Sequence, residues 1–284
     1  MTFPAFLKES AARHDSILCF GIDPDLEQMP LFGLETEERI VKFYCDIVDA
    51  ALQQENCISA IKPNYAYFAQ YGFEGLRALQ RIIKRYRGKI PVIFDAKRGD
   101  IGKSSKAYAA ECFVFWGADA ITVSPYMGQD SIQPFLSFCK EGKGVYVLCR
   151  TSNPGAADFQ SIWAYDGKPL FYHVASKIAK WFVPGVGVVA GATAIEELEK
   201  ILWVFYDMKV EAPFLIPGVG AQGGSASQVA ETLRAIWQQT FALHRINASS
   251  SIAQKWKEKQ TEDYVGAALE EMKSLNSQIG KINL

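Results

Sequence analysis

Eight short apolar segments recur along this chain, and a stretch with the pattern of a helix separates most of them. The apolar segments cover residues 17–22, 58–62, 91–97, 118–124, 144–150, 185–190, 214–218 and 243–248. The helix-like stretches include residues 36–54, 73–87, 104–116, 131–140 and 194–208. Each apolar segment is mostly apolar rather than alternating, which is typical of parallel strands that are covered on both faces. The pattern therefore predicts eight parallel strands that alternate with helices.

This alternation is compatible with a closed barrel or with an open doubly wound sheet. No Pro/Ser-rich linker and no shift in composition divides the chain, which argues against two domains. We predict an α/β fold, a single (β/α)8 TIM barrel over residues 1–284, with a C-terminal helix from about residue 254. In such a barrel the functional residues lie at the C-terminal ends of the strands.

The charge balance and the N-terminus exclude several classes of function. Lys plus Arg total 30 and Asp plus Glu total 31, so the net charge of −1 provides no basic field for nucleic acid or an anionic membrane. Residues 1–15 carry charges instead of an apolar leader, and no apolar run approaches the roughly 20 residues that span a bilayer. We expect a cytoplasmic protein with no nucleic acid or membrane partner.

The cysteines and histidines are scattered along the chain. The six cysteines form no C-x-x-C pair and lie mostly in apolar segments, so we expect them to be reduced core residues. The three histidines stand apart in sequence, whereas a zinc site needs clustered ligands. We expect no metal site.

A charged motif ends the third apolar segment, where Asp95 and Lys97 are followed by Asp100. Side chains alternate along a strand, so Asp95 and Lys97 would both point into the barrel, with Asp100 on the following loop. Two carboxylates around one ammonium have lowered pKa values and keep the lysine protonated, so the group can donate a proton. The alternative is a surface salt-bridge cluster, which would stabilise the fold by only about 0–1 kcal/mol.

Further polar residues fall at the same predicted rim. Asp23 ends the first segment and Lys62 ends the second, and with Asp95 and Lys97 they form a row of alternating charge, here called the charge row. A glycine-rich stretch at residues 217–224 follows the seventh segment, where barrels bind phosphate through backbone amides. A flexible turn is the alternative interpretation of this stretch. The charge row indicates an anionic substrate.

These motifs together resemble the orotidine 5′-monophosphate decarboxylase family, and within it the bacterial subgroup with long chains. The resemblance runs nearly end to end, and residues 94–102 are its most specific segment. It rests on FGIDPD (20–25), KPN (62–64), FDAKRGDIG (94–102), SPYMG (124–128), RTSNPG (150–155), GAT (191–193) and PGVGAQGG (217–224). It implies a dimeric barrel that converts orotidine 5′-monophosphate to uridine 5′-monophosphate and CO₂ without metal or organic cofactor.

The resemblance also implies catalytic roles. Lys97 would protonate the ring carbon that loses its carboxylate, and Asp95 would stand against the substrate carboxylate. Asp100 and Ile101 would reach in from the partner subunit of a homodimer with shared active sites. Lys62 would belong to the same charge row.

Substrate-binding roles follow from the same resemblance. Asp23 and Lys62 would hold the ribose hydroxyls, and Ser152 would read the pyrimidine. Gln222 and the amide of Gly223 would hold the phosphate. Two further positions are carried over from the same motifs as substrate-binding residues, Pro154 and Ser104.

The chain departs from the family after the eighth segment, where Ser250 stands in place of a phosphate-binding arginine. A charged hydrogen bond to phosphate is worth about 1.5–3 kcal/mol, so roughly one to two orders of magnitude in efficiency are at stake. Three explanations compete: a variant or engineered replacement, a neighbour such as Arg245 that takes over, or a homologue that has lost efficient turnover. We expect weakened activity that Ser250→Arg restores. A smaller departure is Lys103-Ser104, where the family usually has Asn-Thr.

Two other functions remain as alternatives. One is a sugar-phosphate decarboxylase or isomerase of the same superfamily, which shares the D-x-K-x-x-D strand and usually needs Mg²⁺. Residues 152–155 favour the nucleotide substrate over that alternative. The other is a catalytically impaired homologue that only binds a nucleotide, and the intact Asp95, Lys97 and Asp100 argue against it.

Overall fold

The computed structural model describes residues 1–282 and contains eight parallel strands in one sheet. The strands are β1 (Leu18–Ile22), β2 (Ala60–Pro63), β3 (Ile93–Arg98), β4 (Ala120–Val123), β5 (Gly144–Arg150), β6 (Val186–Ala190), β7 (Phe214–Pro217) and β8 (Arg245–Ala248). Their hydrogen-bonded order is β2-β1-β8-β7-β6-β5-β4-β3. Parallel bridges pair Ile61 with Val92 and Asn64 with Asp95, and so join β2 to β3. The sheet therefore closes into a barrel, which confirms the (β/α)8 prediction over the open sheet.

Helices connect the strands and cover the outside of the barrel. They are α1 (Phe3–His14), α2 (Thr36–Leu52), α3 (Tyr65–Ala69), α4 (Gly72–Tyr86), α5 (Gly102–Ala110), α6 (Gln129–Leu136), α7 (Leu170–Lys180), α8 (Ile195–Asp207), α9 (Ala226–Trp237), α10 (Ser250–Ala253), α11 (Lys255–Glu258) and α12 (Tyr264–Ile279). A π-helical turn (Glu111–Trp116) continues α5, and a 3₁₀ turn (Ser137–Glu141) continues α6. Each predicted strand end lies within two residues of the observed one.

The interior of the barrel is filled at its N-terminal end. A cluster of buried residues occupies it, made of Phe3, Leu7, Cys19, Ala60, Ile93, Ala120, Tyr146, Val189 and Leu215. Helix α1 closes this end, because the Phe3 ring packs edge-on against Tyr146 with 5.8 Å between ring centroids. The open mouth is therefore at the C-terminal ends of the strands.

Arg245 lies at the closed end of the barrel and is fully buried. Its guanidinium donates to the carbonyl oxygens of Leu7 at 2.6 Å, of His244 at 2.7 Å and of Ala242 at 3.1 Å. Burial lowers its pKa to about 10, against the smaller opposing effect of Tyr146. The suggestion that Arg245 replaces the missing arginine is wrong, since its side chain points away from the mouth and is held by backbone carbonyls.

The C-terminal stretch predicted to be helical forms α11 and α12. Helix α12 buries Ala268, Met272 and Leu275 against the barrel, and Asn276 joins it to the β1–β2 region. The Asn276 side chain donates to the carbonyl of Cys57 at 2.8 Å and accepts from the Ser16 hydroxyl at 2.7 Å. This segment is therefore a packed closing helix. The predicted domain end at residue 284 lies outside the described residues and stays a prediction.

Two other predictions concern the whole chain. All six cysteines are free and buried, as predicted. Within residues 1–282, no helix is both long enough and apolar enough to cross a membrane.

Candidate active site

A cavity of about 460 Å³ opens at the C-terminal ends of the strands. Its size is within the range of small-molecule sites, and its walls come from most strands of the barrel. The predicted site residues that line it are Asp23, Lys62, Asp95, Lys97, Ser152, Gln222 and Ser250. The structure therefore brings the charge row and the predicted phosphate loop to one place.

Asp95 is the centre of a hydrogen-bonded network on the cavity floor. Its Oδ2 accepts from Lys62 Nζ at 2.9 Å, and its Oδ1 accepts from Lys97 Nζ at 2.8 Å. The Asp95 and Lys62 side chains are 7% and 5% exposed, whereas Lys97 is 49% exposed. Lys62 is thus enclosed beneath the carboxylate, and the Lys97 ammonium faces the open cavity.

Burial disfavours the charged forms of Asp95 and Lys62, but the charges around each group outweigh this effect. Burial disfavours the ionised Asp95 carboxyl, yet Lys62 and Lys97 outweigh it and hold its pKa well below the usual range. Burial likewise disfavours the charged form of Lys62, but Asp95 and then Asp23 raise its pKa above the ordinary value. The site therefore presents fixed opposite charges before any ligand binds, which is the condition for electrostatic preorganisation.

The backbone at Lys97 differs from the regular strand assumed from the sequence. Its φ is 43°, a left-handed conformation that is uncommon for a non-glycine residue, and the β3–β4 register shifts between Phe94 and Arg98. The expected contact between Lys97 and Asp95 is confirmed, but simple alternation along an extended strand does not produce it. A bulge at the strand end aims the ammonium at the carboxylate.

Thr122 on β4 is a site residue that the sequence reasoning missed. Its hydroxyl donates to Asp95 Oδ1 at 2.8 Å and accepts from the backbone N–H of Lys97 at 2.9 Å. Thr122 is 1% exposed, and it therefore supports both the carboxylate and the strained backbone of the lysine. Its position at the end of the fourth apolar segment was a usable signal, because polar residues at strand ends face the mouth.

Among the cavity-lining residues, two buried side-chain atoms have no hydrogen-bond partner within residues 1–282. They are Asp23 Oδ1 and Asn247 Oδ1, both buried and both from residues that line the cavity. Asn247 was also missed in the sequence, although it ends the eighth segment. Buried polar atoms normally have partners, so these acceptors are available to ligand hydroxyl or amide donors.

The β5 and β7 loops meet above the cavity at Gly218. Its φ is +100°, and a Cβ at this position would lie 3.1 Å from both the Ser152 Cβ and Gln222 Oε1. Glycine is required here because the conformation is left-handed and the two side chains approach closely. This contact places the residue predicted to read the pyrimidine beside the one predicted to hold the phosphate.

Three predicted residues do not line the cavity of their own chain. Asp100 and Ile101 lie on the turn between β3 and α5, where Ile101 is 58% exposed, and Ser104 lies in the first turn of α5. Asp100 Oδ1 accepts a hydrogen bond from the N–H of Ile101 at 2.7 Å. Within residues 1–282, the Asp100 carboxylate makes no hydrogen bond to Lys97. The second carboxylate predicted beside Lys97 is therefore absent from the hydrogen-bonded network of this chain.

Pro154 and Gly223 also lie outside the main cavity. Pro154 lines an adjoining cleft that shares Ser152 and Gln222 with it. The amide of Gly223, predicted to bind phosphate, donates instead to the carbonyl of Gly220 at 2.8 Å. A tight turn within the glycine loop thus occupies this amide, and the turn would have to open for the amide to bind phosphate. Phosphate binding by Gly223 stays a prediction.

Within residues 1–282, no three or more histidine, cysteine, aspartate or glutamate side chains come together as ligands for a metal ion. The predicted absence of a metal site remains a prediction.

A closed (β/α)8 barrel with a lysine–carboxylate network at its C-terminal mouth defines a TIM-barrel enzyme that acts on a small molecule. Comparison with known proteins identifies the family. The chain belongs to the orotidine 5′-phosphate decarboxylase/HUMPS family, whose profile matches residues 16–262. This confirms the family predicted from the motifs.

Individual relatives support the assignment over most of the chain. The chain is 46% identical over 227 residues to the orotidine 5′-phosphate decarboxylase of Cupriavidus metallidurans. The aligned region covers 79% of this chain and 80% of that protein. The solved OMP decarboxylase of Leishmania donovani is 33% identical with a TM-score of 0.76, covering 98% of this chain and 99% of that one. The UMP synthase of Leishmania donovani is 34% identical with a TM-score of 0.77, covering 98% of this chain and 57% of that one.

Proposed function

We propose that this chain decarboxylates orotidine 5′-monophosphate (OMP) to uridine 5′-monophosphate (UMP) and CO₂, the last step of pyrimidine synthesis. The observation that carries the proposal is the network of Lys97, Asp95 and Lys62 on the floor of the cavity. Family membership supplies the reaction, and this geometry supplies groups suited to it. A sugar-phosphate decarboxylase or isomerase of the same superfamily is the alternative, and the decarboxylase relatives favour OMP.

Lys97 is the proposed proton donor. As the bond between the ring carbon and the carboxylate breaks, CO₂ leaves and the electron pair stays on the carbon. The Lys97 ammonium then transfers a proton to that carbon, and the half-exposed amine recovers a proton from solvent. This step uses only a group that the chain itself supplies, so the proposed reaction needs no metal or organic cofactor.

Asp95 and Lys62 set the electrostatics of the step. A substrate carboxylate beside the ionised Asp95 is repelled, and this repulsion is relieved when neutral CO₂ forms. Lys62 balances the buried charge of Asp95 from below, so the carboxylate stays ionised when substrate enters. Asp23, with an unpartnered oxygen at the same rim, is the proposed acceptor for ribose hydroxyls.

The remaining predicted contacts are part of the proposal. Ser152 and Gln222 meet at Gly218, where they would close over the pyrimidine and the phosphate. Pro154 follows Ser152 in the loop after β5, and Ser250 follows β8, the strand that neighbours β7. Phosphate binding far from the breaking bond would then contribute to closure of the site.

We also propose a homodimer with shared sites in the cytoplasm. Asp100, Ile101 and Ser104 do not line their own cavity and lie on the β3–α5 turn and the first turn of α5, which suits contribution to a partner's site. Lys97→Ala and Asp100→Ala subunits would each be inactive alone. Mixed together they should restore activity at up to roughly a quarter of the sites, because half of the dimers are mixed and each has one intact site.

The direct experiment follows loss of orotate absorbance when OMP is added to the wild-type protein. Lys97→Ala should abolish turnover, and Lys106→Ala, an exposed lysine on α5, should leave it unchanged. No turnover at high enzyme concentration would favour the nucleotide-binding homologue. Loss of activity with a chelator would instead favour the metal-dependent sugar-phosphate alternative.

A further inference from the structure

The lining of the cavity is negatively charged, although the proposed substrate is an anion. Its charged side chains are Asp23, Asp25 and Asp95 against Lys62 and Lys97, a formal net charge of −1. The substrate adds a carboxylate, and its phosphate carries about −1.5 to −2 at pH 7. A further cation near the phosphate would therefore strengthen binding.

The phosphate end of the cavity offers only neutral side chains among its lining residues. Ser250 stands where the resemblance implies an arginine, and Gln222 and Gly218 lie on the neighbouring glycine loop. Neutral donors bind phosphate more weakly than charged ones. The missing positive charge must come from outside this lining.

Three other cationic side chains end β5, start β8 or follow β8, and each already binds another group of the protein. Arg150 is paired with Glu197, and Lys255 lies 2.8 Å from Glu258. Arg245 is buried at the closed end of the barrel. None of these three can turn to the phosphate without breaking an existing contact with a carboxylate or with backbone carbonyls.

Lys257 borders the same end of the cavity and is not neutralised. Its Nζ donates to Gln28 Oε1 at 2.6 Å, and its N–H donates to the carbonyl of Gln254 at 2.9 Å. Both Gln28 and Gln254 line the cavity, and Gln254 follows one turn after Ser250. Within residues 1–282, Lys257 has no carboxylate within ion-pair distance.

We propose that Lys257 binds the 5′-phosphate of the ligand in place of the arginine that Ser250 replaces. The side chain is exposed and flexible, so its ammonium can leave the neutral Gln28 oxygen for a doubly charged phosphate. The charge-assisted contact is the stronger of the two. This inference rests on the proposed function only in assuming a phosphorylated nucleotide ligand.

The test compares the binding of UMP and of uridine by titration calorimetry. Lys257→Ala should weaken UMP binding by about tenfold, the loss expected for one charge-assisted hydrogen bond, and should leave uridine binding within about twofold. Lys259→Ala is the matched control, since Lys259 is an exposed lysine two residues on that is paired with Glu270. It makes the same change in net charge and should affect neither ligand.

Further outcomes separate this proposal from its alternatives. Lys257→Arg should keep UMP binding within about threefold of the wild type, because the charge is retained. Equal weakening of UMP and uridine would overturn the proposal in favour of a structural role through Gln28, and so would a UMP effect no larger than that of Lys259→Ala. A wild-type protein that binds UMP through Lys257 but does not decarboxylate OMP would sink the proposed function alone.

Discussion

The hydroxyl of Thr122 is predicted to position the catalytic lysine, and Thr122→Val tests this. Valine keeps the shape of threonine but removes the bond to Asp95 Oδ1 at 2.8 Å and the acceptor for the Lys97 N–H at 2.9 Å. The left-handed Lys97, with φ of 43°, would lose the contact that holds its backbone. The variant adds no volume to the core, and the stability that it loses with the two hydrogen bonds is measured by its unfolding.

The size of the effect follows from these two bonds. A hydrogen bond to a charged group contributes about 1.5–3 kcal/mol, and an unsatisfied N–H costs about 1–3 kcal/mol. If about 1.4–2.8 kcal/mol of this is lost in the transition state, kcat falls by roughly 10–100-fold. Asp95 keeps both lysines, so it stays ionised and KM should change by less than about threefold.

The assay is steady-state decarboxylation of OMP together with urea unfolding of each variant. Thr122→Ser is the control, since it retains the hydroxyl and should recover most of the lost kcat. A Thr122→Val enzyme with a kcat within twofold of the wild type would refute the reasoning. Equal losses in the valine and serine variants would refute it as well, because packing rather than the hydroxyl would then be responsible.

Two further predictions concern substrate efficiency and stability. Ser250→Arg should raise kcat/KM for OMP by about tenfold or more, since it adds a charged phosphate contact, and unchanged kinetics would mean that Ser250 does not face the phosphate. His244 is 1% exposed, and its Nδ1 accepts from the Phe214 N–H at 3.1 Å, so the buried ring is neutral. Burial and then Arg245 lower its pKa to about 3, so below about pH 6.5 the unfolded chain binds a proton at His244 that the folded protein does not bind. The free energy of unfolding is therefore highest above about pH 6.5 and falls towards pH 3 by up to about 1.4 kcal/mol per pH unit. His244→Gln should reduce this slope in urea unfolding between pH 4.5 and 6.5, a window above the acid range in which Asp95 titrates, and an unchanged slope would contradict the assignment.

Much of the fold could be predicted because its signals are local. Parallel strands that are buried on both faces must be continuously apolar, and eight such segments are visible without any structure. Asp95 and Lys97 are two residues apart, so their association could also be inferred. Ser250 could be singled out because the resemblance defined what its position should contain.

Other parts of the site depend on contacts that no local pattern records. Lys62 and Asp95 are 33 residues apart, and they meet because bridges between β2 and β3 close the barrel. The position of Thr122 beneath both Asp95 and Lys97 depends on the β3–β4 register and on the bulge at the strand end.

The sequence by itself determined the number and order of the strands and which residues could carry charge to the mouth, because burial on both faces makes each strand a continuous apolar segment. Only the tertiary structure decided which end of the barrel each charge faces. Arg245 and Ser250 are five residues apart, yet one lies beneath α1 at the closed end and the other lines the cavity. The reason is that a strand crosses the whole barrel in about five residues, so closure and register set the surroundings of each residue.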